Sequence, residues 1–290
     1  MARTSPRIAA RFLPPTTGQI AALAGAAAVA VVAEPDDPVP LHHRLDALRE
    51  ALPGTGVAPW AAEPVDVVLD EGAETVRIDV ASVVPVPGPR PADVRRDPMR
   101  HWDALPPAMR PHFVRRLRLF GPESTGKSTA AAALAAHFGT VWVPEMSRPL
   151  YVEAGYRFTY DDVARVVAAQ VEAEEAAARQ ATRVLVCDTD VLTTHLYSRH
   201  YFGRSPAVAA VLADARRYDA TLLFNLDVPW EADPVRDSPA ARAHLYAVFE
   251  AALRERGTPF AVVGGTGEAR LAAAIAAAEA ALGVSGPAGR

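Results

Sequence analysis

A chain of 290 residues, half of them hydrophobic, can bury one large core or two modest ones and does not have the composition of a disordered polymer. Its formal charge of -4 excludes the strongly basic surface that phosphate backbones demand, so no nucleic-acid partner is expected. The single cysteine, Cys187, has no internal disulfide partner, and its apolar surroundings make it a buried thiol.

The chain opens with the basic stretch "MARTSPRIAARF", followed by an apolar run at 20–33 that resembles the core of an export signal. Pro14, Pro15, Thr16, Thr17, Gly18 and Gln19 separate the two, which a signal peptide does not tolerate well. The apolar run has 14 residues, short of the roughly 20 that span a bilayer, so no membrane partner and a cytoplasmic location are expected.

From about Ile8 to Val80, strand-like runs alternate with helical ones. "RIAARF", "AVAVVA", "VDVVLD" and "ETVRIDV" read as strands. "GQIAALAGAA" reads as a helix, as does "LHHRLDALREAL" with Leu41, Leu45, Leu48 and Leu52 at helical spacing. Such alternation predicts a parallel α/β sheet. The Pro- and Arg-rich stretch "VVPVPGPRPADVRRDP" predicts a loop or linker, and "MRHWDALPPAMRPHFV" a short helix and a connection. A second α/β segment begins near Arg115, so the expected division is 1–114 and 115–290. No metal-ligand cluster stands out, and His195 and His200 read as surface residues rather than a zinc pair.

The strongest signal is "RLRLFGPESTGKST". A predicted strand runs into Gly121, Pro122, Glu123, Ser124, Thr125, Gly126, Lys127 and Ser128, and a helix follows from Thr129. This is the complete G-x-x-x-x-G-K-[ST] phosphate loop in its strand–loop–helix context. Its glycines let successive N–H groups curl toward phosphate oxygens. Lys127 supplies charge to the terminal phosphates and Ser128 a hydroxyl to Mg²⁺. Gly121, Glu123, Ser124, Thr125, Gly126, Lys127, Ser128 and Thr129 are therefore the expected nucleotide-binding residues, with ATP and Mg²⁺ as cofactors.

Two downstream strands end in carboxylates. "TVWVPEMSR" ends at Glu145 with Arg148 close behind, and "RVLVCDTDVLTT" ends at Asp188 with Asp190 next. In a parallel sheet all strand ends face the ligand crevice. A hydroxyl acceptor needs a carboxylate to take its proton, and Mg²⁺ needs one for itself or its waters. Glu145 is the preferred base and Asp188 the preferred Mg²⁺ partner, an assignment that can be exchanged between them. Beyond the strand "TLLFNLD" comes a polar loop with Asp233, Arg236 and Arg242, where arginines suit a lid over the transferring phosphate. A final strand, "PFAVVGG", leads through a glycine turn into "TGEARLAAAIAAAEAAL".

The pieces "GPESTGKST", "PEMSR", "DTDVLTTHLY" with "YFG" after it, and "PWEAD" with Arg236 resemble the ribosylnicotinamide kinase domain of the NadR-type bifunctional proteins of NAD salvage. That resemblance implies a P-loop kinase fold, a parallel sheet flanked by helices. It also implies transfer of the γ-phosphate of ATP to the 5′-hydroxyl of nicotinamide riboside. Lys127, Glu145, Asp188 and Arg236 are then the catalytic residues, and Arg148, Asp190, Trp230 and Asp233 contact the substrate. This sequence differs from the family pattern at Trp142, Pro144, Ser147, Pro149 and Pro234.

The resemblance extends upstream, to a smaller Rossmann-like α/β domain of nucleotidyltransferase type. That family domain opens with an H-x-G-H turn whose histidines stabilise phosphates. Here "PPTTGQI" places Thr16 and Gln19 at the histidine positions and keeps only Gly18. The I-S-G-x-x-I-R signature near the end of that domain is reduced to Val94 and Arg95, with Arg90 and Pro91 at the serine and glycine positions. The expectation is a kinase behind a degenerate adenylyltransferase-like domain, with no room before Ile8 for the DNA-binding module some relatives carry. An enzyme that still makes NAD, and a nucleotide-binding sensor without catalysis, are the alternatives.

Overall fold

A computed structural model describes residues 7–10, 28–31, 49–50, 56–59, 67–69, 75–79, 82–85, 91–155, 157–231 and 239–286. The chain divides into two compact units, Met1–Phe113 and Val114–Arg290.

In the first unit, β1 (Arg7–Ala10), β2 (Ala28–Val31), β3 (Gly56–Pro59) and β4 (Val67–Leu69) form a parallel sheet in the order β3-β2-β1-β4. The parallel pairing agrees with the alternating pattern in the sequence. β3, the four residues GVAP, has no periodic signature that would predict a strand. The helix expected at 18–27 lies outside the described residues. Of the helix expected at 41–52, residues 49 and 50 are described and are helical.

Two features correct the expected linker. β5 (Thr75–Asp79) pairs antiparallel with β6 (Ser82–Pro85), and α1 covers Pro91–Arg96. Proline forbids a central strand, yet it fits the end of β6 and the first position of α1, where no helical N–H is needed. Two 3₁₀ turns, Trp102–Ala104 and Pro107–Met109, then lead into α2 (Arg110–Phe113). Trp102, Leu105 and Met109 are buried.

The second unit is a five-stranded sheet flanked by helices. Its strands are β7 (Arg115–Phe120), β8 (Trp142–Val143), β9 (Val184–Asp188), β10 (Ala220–Phe224) and β11 (Ala261–Val263), all parallel, in the order β11-β10-β7-β9-β8. The helices are α3 (Lys127–Phe138), α4 (Ser147–Glu153), α5 (Val163–Ala178), α6 (Val191–Phe202), α7 (Ala207–Ala215), α8 (Pro239–Glu255) and α9 (Gly267–Leu282). β9 and β10 are buried along their whole length, as continuous apolar runs must be when helices cover both faces. α3 and α9 pack on one set of core residues with Leu117, Leu119 and Phe224. α6 and α8 pack on another, around Phe120 and Phe249.

Because β7 is central, the crevice at its C-terminal end lies between the ends of β9 and β10. Cys187 is fully buried in β9, and burial pushes its thiol well up. No described helix is long and apolar enough to cross a membrane.

Candidate active site

The phosphate loop leaves β7 at Gly121, whose φ is +131°. A Cβ there would come within 3.1 Å of the Phe224 carbonyl oxygen on β10, so the close approach of two backbones requires glycine. Ser124 (φ 59°) and Gly126 (φ 80°) are left-handed, which curls the loop. Lys127 is buried at the start of α3, and its Nζ donates to the carbonyls of Gly121 (2.8 Å) and Pro122 (2.7 Å). Thr125 Oγ1 donates to Pro122 O at 2.9 Å. Thr129 lies in the first turn of α3.

The next residue along α3, Ser128, donates its Oγ to Asp188 Oδ2 at 2.6 Å. Asp188 is 1% exposed, and its Oδ1 is buried without a hydrogen-bond partner. Burial pushes its carboxyl upward. Lys127 opposes the rise, Glu145 adds to it, and the Ser128 hydrogen bond and Arg148 oppose it. Lys127, Ser128, Glu145, Arg148 and Asp188 thus share one electrostatic environment.

Glu145 sits beyond β8, which ends at Val143, two residues short of the expected strand end. Pro144 explains the early stop, since it offers no N–H to the ladder. Ser147 Oγ donates to Glu145 Oε1 at 2.7 Å. The adjacent Met146 N–H donates to Gln170 Oε1 at 3.3 Å, and Gln170 Nε2 donates to Glu174. Glu174 is fully buried and also accepts from Arg116, Arg216 and Tyr218. The loop carrying Glu145 is thereby tied to a buried charged cluster.

Between Asp188 and Asp190, Thr189 has φ 74°. A β-branched residue there is strained, at a cost of order 1–3 kcal/mol. The turn sends the two carboxylates to different tasks. Asp190 caps α6, with Oδ1 accepting from Thr193 N–H (2.8 Å) and Oγ1 (2.9 Å). Its Oδ2 meets Arg118 Nη1 at 2.6 Å, with both side chains buried. Arg118 also donates to Thr221 Oγ1.

Glu123 turns toward α6. Tyr197 Oη donates to its carboxylate at 2.6 Å and accepts its N–H at 3.0 Å. Trp230 is half-buried, and the next residue, Glu231, donates its N–H to Ser124 Oγ at 3.0 Å. Asp233 and Arg236 lie outside the described residues. Arg242 and Arg270, both buried, reach the loop from α8 and α9. Arg270 carried only a faint signal, a lone arginine in an alanine-rich helix, and Arg118 none, being one of three arginines in β7. His195 and His200 lie on α6, and among the described residues no group of three or more His, Cys, Asp or Glu could hold a metal ion.

A family model described as "AAA domain" matches residues 116–270. Two curated relatives, the trifunctional NAD biosynthesis/regulator proteins NadR of Escherichia coli (strain K12) and Salmonella typhimurium (strain LT2), are each 31% identical over 170 residues. The match covers 57% of this chain and 41% of each relative, so the chain spans less than half of their length. Two solved structures are similar in fold. One, a NadR protein in complex with NR, has a TM-score of 0.68 at 19% identity, covering 98% of both chains. The other, a NadR protein in complex with NAD and AMP-PNP, has a TM-score of 0.71 at 19% identity, covering 99% of this chain and all of that one.

Proposed function

As this chain belongs to the AAA domain family and is a homologue of the NadR proteins, we propose that its second unit is an ATP-dependent kinase of nicotinamide riboside that forms nicotinamide mononucleotide in NAD salvage. One observation carries the reading: Asp188 is bonded to Ser128 through one oxygen and holds its other oxygen buried and unpartnered at the mouth of the phosphate loop. An orphaned buried oxygen costs about 1–3 kcal/mol unless a ligand uses it.

That arrangement fits Mg²⁺, which takes hard oxygen ligands and, in kinase sites, needs only one or two carboxylates besides phosphates and waters. Ser128 and Asp188 would hold it, and when bound it offsets charge on the transferring phosphate. Gly121 and Glu123 to Thr129 form the cradle for the triphosphate of ATP. Lys127 neutralises the terminal phosphates. Glu145 takes the proton of the acceptor hydroxyl and is held toward it by Ser147. Arg148 and Trp230 flank the acceptor. Asp190 has both oxygens committed, so it serves by anchoring α6 rather than by touching substrate. Asp233 and Arg236 are assigned from the family resemblance alone, as acceptor contact and phosphate-side cation.

The first unit, in this reading, is a degenerate adenylyltransferase-like domain. Thr16 and Gln19, outside the described residues, stand where the family uses histidines. The test is ATP consumption by the purified chain with Mg²⁺ against a panel of nucleosides, with product identified by mass spectrometry. Nicotinamide riboside should give nicotinamide mononucleotide. ATP binding with no turnover on any nucleoside would favour a sensor instead.

A further inference from the structure

Two arginines outside the phosphate-loop motif grip its outer face. Arg242 on α8 donates Nη2 to Ser124 O and to Val228 O, both at 2.8 Å. Arg270 on α9 donates Nη2 to Thr125 O and Asn225 O at 2.8 Å, and Nη1 to Gly265 O at 2.9 Å. They are 8% and 4% exposed. Each leaves its Nε buried and unpartnered, a cost that places the benefit of both residues at their Nη groups.

The consequence follows from peptide geometry. In a planar trans peptide the C=O and the next residue's N–H point in opposite directions. Holding Ser124 O from behind therefore turns the Thr125 N–H to the opposite side of the loop. Holding Thr125 O likewise turns the Gly126 N–H. With Ser124 and Gly126 left-handed on either side, these two amides belong to the concave, anion-binding face. Arg270 spreads both Nη groups over three carbonyls on separate segments, with Asp227 Oδ2 3.8 Å from Nη1, a task that suits a planar fork. Arg242 spans two segments with Nη2 at the end of its longer side chain, beyond the reach of a lysine ammonium held in the same place.

We propose that Arg242 and Arg270 are positioning residues that preset the phosphate-binding amides of Thr125 and Gly126, so that the loop meets a triphosphate without rearranging. Arg270 extends the same grip to the ends of β10 and β11 through Asn225 and Gly265. This rests on the reading of the loop as a triphosphate site.

The test compares ATP with adenosine, which lacks the phosphates. Affinities of the full chain, Arg242→Lys and Arg270→Lys are measured by calorimetry for ATP and by competitive displacement for adenosine. Thermal melting confirms folding, and the amide resonances of Thr125 and Gly126 are followed on ATP addition. Each variant should lose about 10- to 100-fold in ATP affinity, the scale of a lost charged hydrogen bond, with adenosine changed less than about threefold. The two amide resonances should already differ from wild type without ATP. If either variant binds ATP as wild type does, or loses ATP and adenosine equally, the inference is overturned. If Arg270→Lys does not fold, Arg242→Lys and the amide resonances decide it. Failure of the wild-type chain to bind ATP overturns the triphosphate reading, and this inference with it.

Discussion

Ser128 Oγ donates to Asp188 Oδ2 at 2.6 Å, joining the first turn of α3 to the end of β9. The second Asp188 oxygen is buried without a partner, and burial raises the carboxyl above its ordinary value. A raised acid binds its proton more tightly in the folded state. Its stability contribution is therefore full below the ordinary carboxylate range and is lost as pH rises through the raised value. Asp188→Asn should melt a few degrees higher than wild type at pH 7 without Mg²⁺, and should no longer be stabilised by acidification in the window just above pH 3.8, the ordinary value. Its turnover should need a higher Mg²⁺ concentration than that of wild type. Equal melting temperatures across that window would remove the burial argument.

Lys127 Nζ reaches two carbonyls of its own loop, Gly121 O and Pro122 O. Lys127→Ala should abolish phosphoryl transfer and leave the sheet intact, because the apolar core around Leu117 and Leu119 does not depend on the ammonium. Turnover assays beside far-ultraviolet circular dichroism measure both halves. Near-normal turnover would end the kinase assignment.

Glu145→Gln keeps the shape and the Ser147 contact but cannot take a proton. Turnover should fall by about 10² to 10⁴ while ATP affinity hardly moves. Steady-state kinetics on both substrates would show this. A rise in the Mg²⁺ requirement with intact maximal turnover would move the metal role to Glu145 and the base role to Asp188.

Glu174 gathers Arg116, Arg216, Tyr218 and Gln170 around a fully buried carboxylate. Removing it leaves two largely buried guanidiniums without that partner. Glu174→Ala should cost about 3–5 kcal/mol, read as a lower urea midpoint of the second unit. A change below about 1 kcal/mol would show that Glu175, which also meets both arginines, suffices.

Adenylyl transfer builds negative charge on the α-phosphate and the leaving pyrophosphate. Neutral Thr16 and Gln19 cannot supply imidazolium charge, and losing one preorganised donor costs about 10²–10³ in rate. Purified protein should form no NAD from nicotinamide mononucleotide and ATP. NAD formation lost on altering Gly18 but kept in Lys127→Ala would establish a second activity.

The phosphate loop was legible because all its parts are local: Gly121 to Ser128 follow one another, and the alternating strand before them and the helix formers after them set their context. Asp188 was legible for the same reason, as the polar end of a fully apolar strand. β6 and α1 were hidden inside a proline-rich stretch, because the prolines fall at element ends, where they are compatible with structure. The roles of Arg242 and Arg270 belong to the tertiary structure alone. Their contacts on the loop are 118 and 145 residues away in the chain, and the partners are backbone carbonyls, which every residue has and no sequence pattern marks. The same holds for Asp190. By sequence it is a second carboxylate beside the first, and only folding brings Arg118 to it and the strained Thr189 turn between them, so that one aspartate faces the loop and the other faces the core.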